Sequence, residues 1–441
     1  MAETGTNQAN VPIPPEGDPR VSAAGTPAVT GGGQSRKRHV PPVLIVIPLA
    51  VLLTLAVILI IVFTTKDGTD EVRTALFSGG LLPVEVSEPQ GQGAAARWGY
   101  VDKTGEMVIQ AQFLDAEPFS ENGLAAVRTE TGWGYINKSG VLVIPAVYEG
   151  AGAFGEYNFA PVKRDGSWGY IKKDGTLVVN PQFDVADPFT GEGLALVQID
   201  GKCGYINRAG AYVIIPRFED ARSFRADGTA QVKEFGKWGI INAKGEYTVN
   251  PQFDEISTVT SCGLTLVEKD GKYGYIDKSG VWVIDPVYTA AEDFAACGLA
   301  LTEKDGKYGF INKKNETVIA DLAAATSFGA NGLAAVKKSE DGKWEYIDRT
   351  GKPAFEGAYS EALQFRFGFA VVKNESGGYL YLNEKGQTAI ACPEGCVFAF
   401  PFFEDGVALY VTAELNTAAY YYTLINKKGE ILLDHITNFK F

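Results

Sequence analysis

The chain has 441 residues, with 40 Lys and Arg against 53 Asp and Glu for a formal net charge of −13. That balance argues against a nucleic-acid binder, which needs clustered basic side chains, and two histidines, His39 and His435, leave no material for a His-based triad or a multi-His metal site. The apolar share of 46%, with 25 Phe, is enough for a sizeable core, so the chain as a whole is not disordered.

Residues 1–42 are rich in Pro, Gly, Ala, Ser and Thr and nearly free of large apolar side chains. Such a segment cannot bury a core, and a disordered tail is expected. The tail carries the basic cluster Arg36-Lys37-Arg38 and runs into a 21-residue apolar stretch, Val43 to Phe63, interrupted only by Pro48 and Thr54. This predicts one transmembrane helix over 43–63. Its 17 Val, Leu, Ile and Phe, at about −0.3 kcal/mol each, favour insertion by roughly 5 kcal/mol. The run is too long for a signal-peptide core, and no A-x-A cleavage site follows. Basic residues precede the span, whereas Lys66, Asp67, Asp70, Glu71 and Arg73 follow it with mixed sign, so the N-terminus is expected in the cytoplasm. Residues 64–75 then form a linker, and 76–441 form a domain outside the cell membrane. The tail holds four Lys and Arg and three Asp and Glu, +1 in all, so the remainder of a −13 chain carries −14. An acidic exterior is ill suited to lying on anionic lipid.

Past the span the chain repeats. WGYVDKTG (98–105), WGYINKSG (133–140), WGYIKKDG (168–175), CGYINRAG (203–210), WGIINAKG (238–245), YGYIDKSG (273–280), YGFINKKN (308–315) and WEYIDRTG (344–351) start 35 residues apart, the last step being 36. Weaker copies end at Gly386 and Gly429, and two further columns accompany each core, V-I-x-P-x-[FY] and G-L-A-x-V. About ten units fill 76–441, and a fixed period of this length means tandem architecture.

Within a unit the apolar period is two. GLTLVEKDGKYGYID (263–277) reads as two strands joined at Asp270-Gly271, a strong hairpin signal. A second tight turn follows at Lys278-Ser279-Gly280, and the linkers to the next unit carry Phe119, Phe154, Phe189, Phe224, Phe294 and Phe365. Each unit is therefore an antiparallel meander of three strands, with room for a short fourth near the linker aromatic. One such meander buries its apolar face poorly, so neighbours must cover each other. The expected fold is an all-β tandem repeat, packed radially as in a propeller, with an open β-solenoid as the alternative. Ten units exceed the usual four to eight blades, which counts against one closed ring.

The W-G-Y-I-[DN]-K-x-G string with its two companion columns resembles the WG (KWG) repeats of bacterial proteins, over about 365 residues. The resemblance implies a β-rich module, often joined to other domains or to a membrane anchor, that serves interaction. It brings no catalytic set and no cofactor.

The column Trp98, Trp133, Trp168, Cys203, Trp238, Tyr273, Tyr308, Trp344 could stack on sugars, but Cys203 cannot, so packing between units is the reading taken. The column Asp102, Asn137, Asn207, Asn242, Asp277, Asn312, Asp348 keeps a side-chain oxygen and not a charge, which points to Asx turns and not to calcium or another metal. Carboxylate pairs such as Glu303 and Asp305 lie in hairpin tips, so an enzyme is the weakest reading. Cys392-Pro-Glu-Gly-Cys396 is a candidate local disulfide. A Cys262–Cys297 bond would instead signal in-register stacking, against the propeller.

Ten aromatics gather in the last 45 residues. They read either as a cap over the preceding unit or as a partner surface, for which Tyr420, Tyr421 and Tyr422 are the candidates, since alternation turns at least one outward. The function expected is a membrane-anchored, extracytoplasmic repeat module that binds a protein or peptide. Cell-wall glycan is the alternative ligand.

Overall fold

The computed structural model describes residues 75–86, 96–257, 263–414 and 419–440. The tail, the 43–63 span, the linker up to residue 74 and Cys262 lie outside the described residues. Among the described residues there is no helix, and so none long and apolar enough to cross a membrane.

Ten small antiparallel sheets follow one another along the chain and make the ten blades of a propeller-like ring. The meander has three long strands and the short fourth near the linker aromatic. Blade 2 shows the plan: Asp115–Ala116, Leu124–Thr129, Gly132–Asn137 and Leu142–Tyr148, hydrogen-bonded in that order. The two-residue first strand follows directly on the fourth strand of the blade before, which ends at Phe113. In blades 3 to 7 the second and third strands join through tight turns whose two central residues both take positive φ, as with 53° at Asp270 and 73° at Gly271, the geometry that suits strand twist.

Ten apolar clusters hold the ring, one at each junction between neighbours. At the junction of blades 2 and 3, Leu124, Ala126, Tyr135 and Ile144 meet Phe154, Ala160, Val162 and Ile171. The intervening residues Ala125, Val127 and Ile136 face backward onto Trp98, Tyr100 and Ile109 of blade 1. Second and third strands are thus buried on both faces, which is why G-L-A-x-V reads as an unbroken apolar run instead of an alternation. Fourth strands lie at a sheet edge and leave residues such as Val143, Ile215 and Val283 exposed. Pro181, Pro216, Pro251 and Pro286 in these strands remove the amides that another strand would need.

The glycine after the Trp has a steric cause. Opposite Gly134 the fourth strand bulges, with Trp133 paired to Tyr148 but Tyr135 to Ile144. The bulge drives that strand's backbone so close that a Cβ on Gly134 would sit 2.6 Å from the Ile144 carbonyl oxygen and 2.7 Å from the Ala146 nitrogen. Blade 8 carries Glu345 at this place, and its sheet has three strands, with the return segment reduced to isolated bridges at Trp344–Tyr359 and Ile347–Pro353.

Ring closure uses both ends of the repeat region. Blade 1 lacks a first strand of its own, and Asn438–Phe439 supplies one by pairing with Leu82–Val86. Ten blades therefore close one ring, contrary to the expectation from the usual blade number. The closing cluster joins Leu82, Val84 and Val101 of blade 1 to Val407, Leu409, Val411, Leu424 and Ile436 of blade 10.

Candidate binding surface

The repeated residues are committed to the scaffold. In the column from Asp102 to Asp348, each side-chain Oδ1 accepts the amides two and four residues on, at 2.8–3.1 Å. These are Asx turns, as the mixed Asp/Asn column indicates. The Thr104 and Thr350 side chains, hydrogen-bonded to Asp102 and Asp348, hold those carboxyls below the usual range.

The Trp column faces the junctions. Trp98, Cys203 and Trp238 are buried, and Trp133, Trp168, Tyr273, Tyr308 and Trp344 are half-buried against the cluster shared with the next blade. Burial pushes the Cys203 thiol up.

The deeper aromatic is the one that sequence reasoning passed over. Tyr100, Tyr135, Tyr170, Tyr205, Tyr275 and Tyr346 are fully buried. Each hydroxyl crosses to the next blade and donates to the carbonyl 17 residues on, at 2.6–2.9 Å. Each ring also meets the linker Phe there, with centroids 4.7–5.0 Å apart. Burial raises all six hydroxyls, so they stay protonated donors. The signal was present: an aromatic two residues beyond the Trp, and a Phe at fixed distance after it.

At the C-terminal end, Phe400, Phe402 and Phe403 are buried. Tyr420 and Tyr422 pack on the closing cluster, and the Tyr422 ring lies 5.0 Å from Phe439. Tyr421 turns to the other face, its ring 5.3 Å from the largely exposed His435. Of the three tyrosines, Tyr421 is the one set apart from the seam.

Cys392 and Cys396 flank a turn in which the Cys396 amide donates to the Pro393 carbonyl at 3.2 Å and Gly395 takes a φ of 85°. Both thiols are free. They lie side by side, and the hydrogen bond from the Cys392 thiol lowers the Cys396 thiol while Cys392 itself is raised. Cys297 is free and half-buried. Cys262, whose bonding to it would have counted against the propeller, is outside the described residues.

One cleft stands out by its chemistry. On blade 3, a hollow of about 460 Å³ is lined by Tyr157, Asn158, Phe159, Lys172, Lys173 and Asp174. The first three enter the second strand, and the last three form the turn after the third. The Tyr157 hydroxyl donates to the Gly191 carbonyl at 2.6 Å, and the Arg208 guanidinium lies 4.7 Å from the Tyr157 ring centroid. Lys173 Nζ donates to the Asn122 carbonyl at 2.7 Å.

No curated protein matches the chain. Among solved structures, it is similar to a eukaryotic initiation factor at 10% identity and a TM-score of 0.47, covering 82% of this chain and 97% of that one. It is also similar to Hsv2p of Kluyveromyces lactis (8%, 0.34, 58% and 97%) and to BamB from Moraxella catarrhalis (12%, 0.32, 58% and 88%). Likenesses this distant say nothing of a ligand. The family described as WG containing repeat matches residues 98–130, 133–168, 168–203, 204–238, 238–273, 273–308, 308–344 and 346–377. Those eight matches run from the third strand of blade 1 into blade 9 and take up more than half of the sequence, and the chain belongs to the WG-containing-repeat family.

Proposed function

We propose that this protein is a non-catalytic binding scaffold, a ring of WG repeats held outside the cell membrane by the 43–63 span and presenting its surface to a protein or peptide. The observation that supports a scaffold is the commitment of the repeated polar and aromatic residues to Asx turns and blade junctions, which leaves non-repeating surface residues to make contacts. The anchor rests on the 21 apolar residues and the basic cluster before them.

Two measurements test the reading. Protease added to intact spheroplasts should remove the ring and spare the tail, and cleavage of the tail instead would invert the topology. The detergent-solubilised chain should capture an envelope protein and lose it on Tyr421→Ser with melting unchanged. Capture of cell-wall material alone would transfer the proposal to glycan.

A further inference from the structure

We propose that blade 3 carries a binding site for a carboxylate-bearing sugar, with the ring against Tyr157 and Phe159 and the acid group toward Lys172.

The first support is where the repeat is broken. At the entry to the second strand four other units read Asn122-Gly123-Leu124, Glu192-Gly193-Leu194, Asp227-Gly228-Thr229 and Asn331-Gly332-Leu333, whereas blade 3 reads Tyr157-Asn158-Phe159; blade 9, with Phe367-Gly368-Phe369, shares the aromatics but keeps Asn383 opposite them. The backbone is kept: Asn158 holds a φ of 60°, matching 82° at Gly123 and 70° at Gly193. Asn and Asp are the non-glycine residues that substitute there at least cost. What changes is the surface, which gains Tyr157 in place of a polar side chain and Phe159 in place of Leu or Thr.

A second break lies directly opposite. The Asx position of this unit is Lys172, and its turn is held instead by Asp174, whose Oδ1 accepts the Thr176 amide at 2.9 Å. Moving the turn-capping oxygen two residues along releases position 172 from the turn. Lys172 is the cross-strand partner of Phe159, so departures on the two strands of one hairpin face one hollow. Tyr157 and Phe159 also pack on the blade 3–4 cluster, but neither departure is needed for the turns, which the other units form without them.

The chemistry of the hollow selects the ligand. Tyr157 is fixed by its hydroxyl bond and by Arg208, and Phe159 by Phe189 at 5.4 Å, so the aromatic wall is rigid. An aromatic wall suits the C–H face of a pyranose, and Asn158, Lys173 and Asp174 present polar groups around it for hydroxyls. Lys173 is tied to a carbonyl, while Lys172 is exposed and makes no side-chain hydrogen bond or ion pair among the described residues. A carboxylate meeting Lys172 gains a charge-assisted bond. Asp174 opposes a ligand as densely charged as a phosphate. A peptide adding as a strand finds no edge here, because the second strand, Phe159–Arg164, is paired on both sides.

The proposal does not depend on the anchor or on a protein partner. Its test uses the full-length chain in mild detergent and saturation-transfer NMR with D-glucuronate, with D-glucose and inorganic phosphate as comparison probes. Glucuronate should give saturable ring-proton signals, and glucose should bind about ten-fold more weakly. Lys172→Asn, which restores the residue common at this position, should cut glucuronate affinity about ten-fold without lowering the melting temperature. Tyr157→Asn, again a residue of a sister unit, should cut it as much but also lower the melting temperature, because the Gly191 bond and the Arg208 contact go with the ring. The idea is overturned if glucuronate gives no saturable signal, if both variants bind like the parent, if phosphate displaces glucuronate, or if a tri-glutamate peptide displaces it at lower concentration than glucose does.

Discussion

The Gln231 side-chain amide donates to the Ser257 carbonyl at 2.8 Å. At six other junctions the carbonyl at that place receives the hydroxyl of a tyrosine 17 residues upstream, from blades 1 to 4, 6 and 8. Blade 5 has Ile240 instead, and Gln231 is the residue paired with Ile240 across the sheet. The missing donor has been replaced from the adjacent strand. Sister units carry Leu196, Leu266 and Leu301 at the Gln231 position.

Gln231→Leu should therefore lower stability by about 1–3 kcal/mol, the cost of a buried acceptor left without a donor. Adding Ile240→Tyr to the same chain should restore most of the loss. Urea melts of the two variants decide it, and a double variant no better than the single would show that the carbonyl is not what Gln231 serves.

The bulge opposite the repeat glycine predicts graded damage. A Cβ on Gly204 would fall 2.6 Å from the Pro216 nitrogen and 2.7 Å from the Ile214 oxygen. At Gly309 one atom, the Ile319 oxygen at 2.7 Å, is close and the next is at 3.5 Å. Gly204→Ala should cost about 3 kcal/mol and Gly309→Ala about 1, measured by denaturant melts.

Asp405 ties the closing seam. Its Oδ2 accepts the Phe77 amide at 2.8 Å and its Oδ1 the Lys103 ammonium at 2.6 Å. Asp405→Ala should cost about 1–3 kcal/mol by stranding the buried amide. Removal of residues 437–441 should do more, because it also takes away the final strand and the Lys440 bonds to Asp115 and Glu117. The shortened chain should bind a dye specific for apolar surface, which the Asp405 variant should not.

The cysteines should react in order. With the Cys396 thiol lowered by its neighbour and the Cys203 thiol raised by burial, iodoacetamide at neutral pH should modify Cys396 ahead of Cys392 and Cys203. Peptide mass spectrometry after timed quenching reads the order.

Acid should separate the Asp units from the Asn units. The Asp348 carboxyl is held below 3.8 in the folded chain, so its contribution is present above that value and is lost as pH falls through the depressed one. Asp348→Asn should lose less in melting temperature than the parent between about pH 5 and pH 2.

Much of this fold was legible in the sequence because each unit states its period several times over. The turns at Asp270-Gly271 and Asn137 follow from residue types that tolerate positive φ or offer a side-chain oxygen. The short first strand was expected only as an option near the linker aromatic, because a pair such as Asp115–Ala116 carries no alternation. Tyr135 escaped because an apolar strand core does not reveal which member reaches across to the next blade. The loss of a strand in blade 8 was written in Glu345, but its meaning needs the bulge that the glycine accommodates. Of the blade 3 cleft, Lys172 was visible as a departure from the Asx column; its meeting with Phe159 depends on strand register.

The bond from Thr437 to the Glu85 carbonyl spans 352 residues. Nine junctions form between units about 35 residues apart, while the tenth must wait for nearly the whole chain to be made. A growing polypeptide therefore holds Leu82, Val84 and Val101 uncovered until its last strand arrives, and that arrival carries the loop-closure entropy that makes distant pairings slow. The same contacts could be completed by the last strand of a second molecule. At high concentration during refolding, head-to-tail exchange would compete with ring closure, and dilution would favour the monomer.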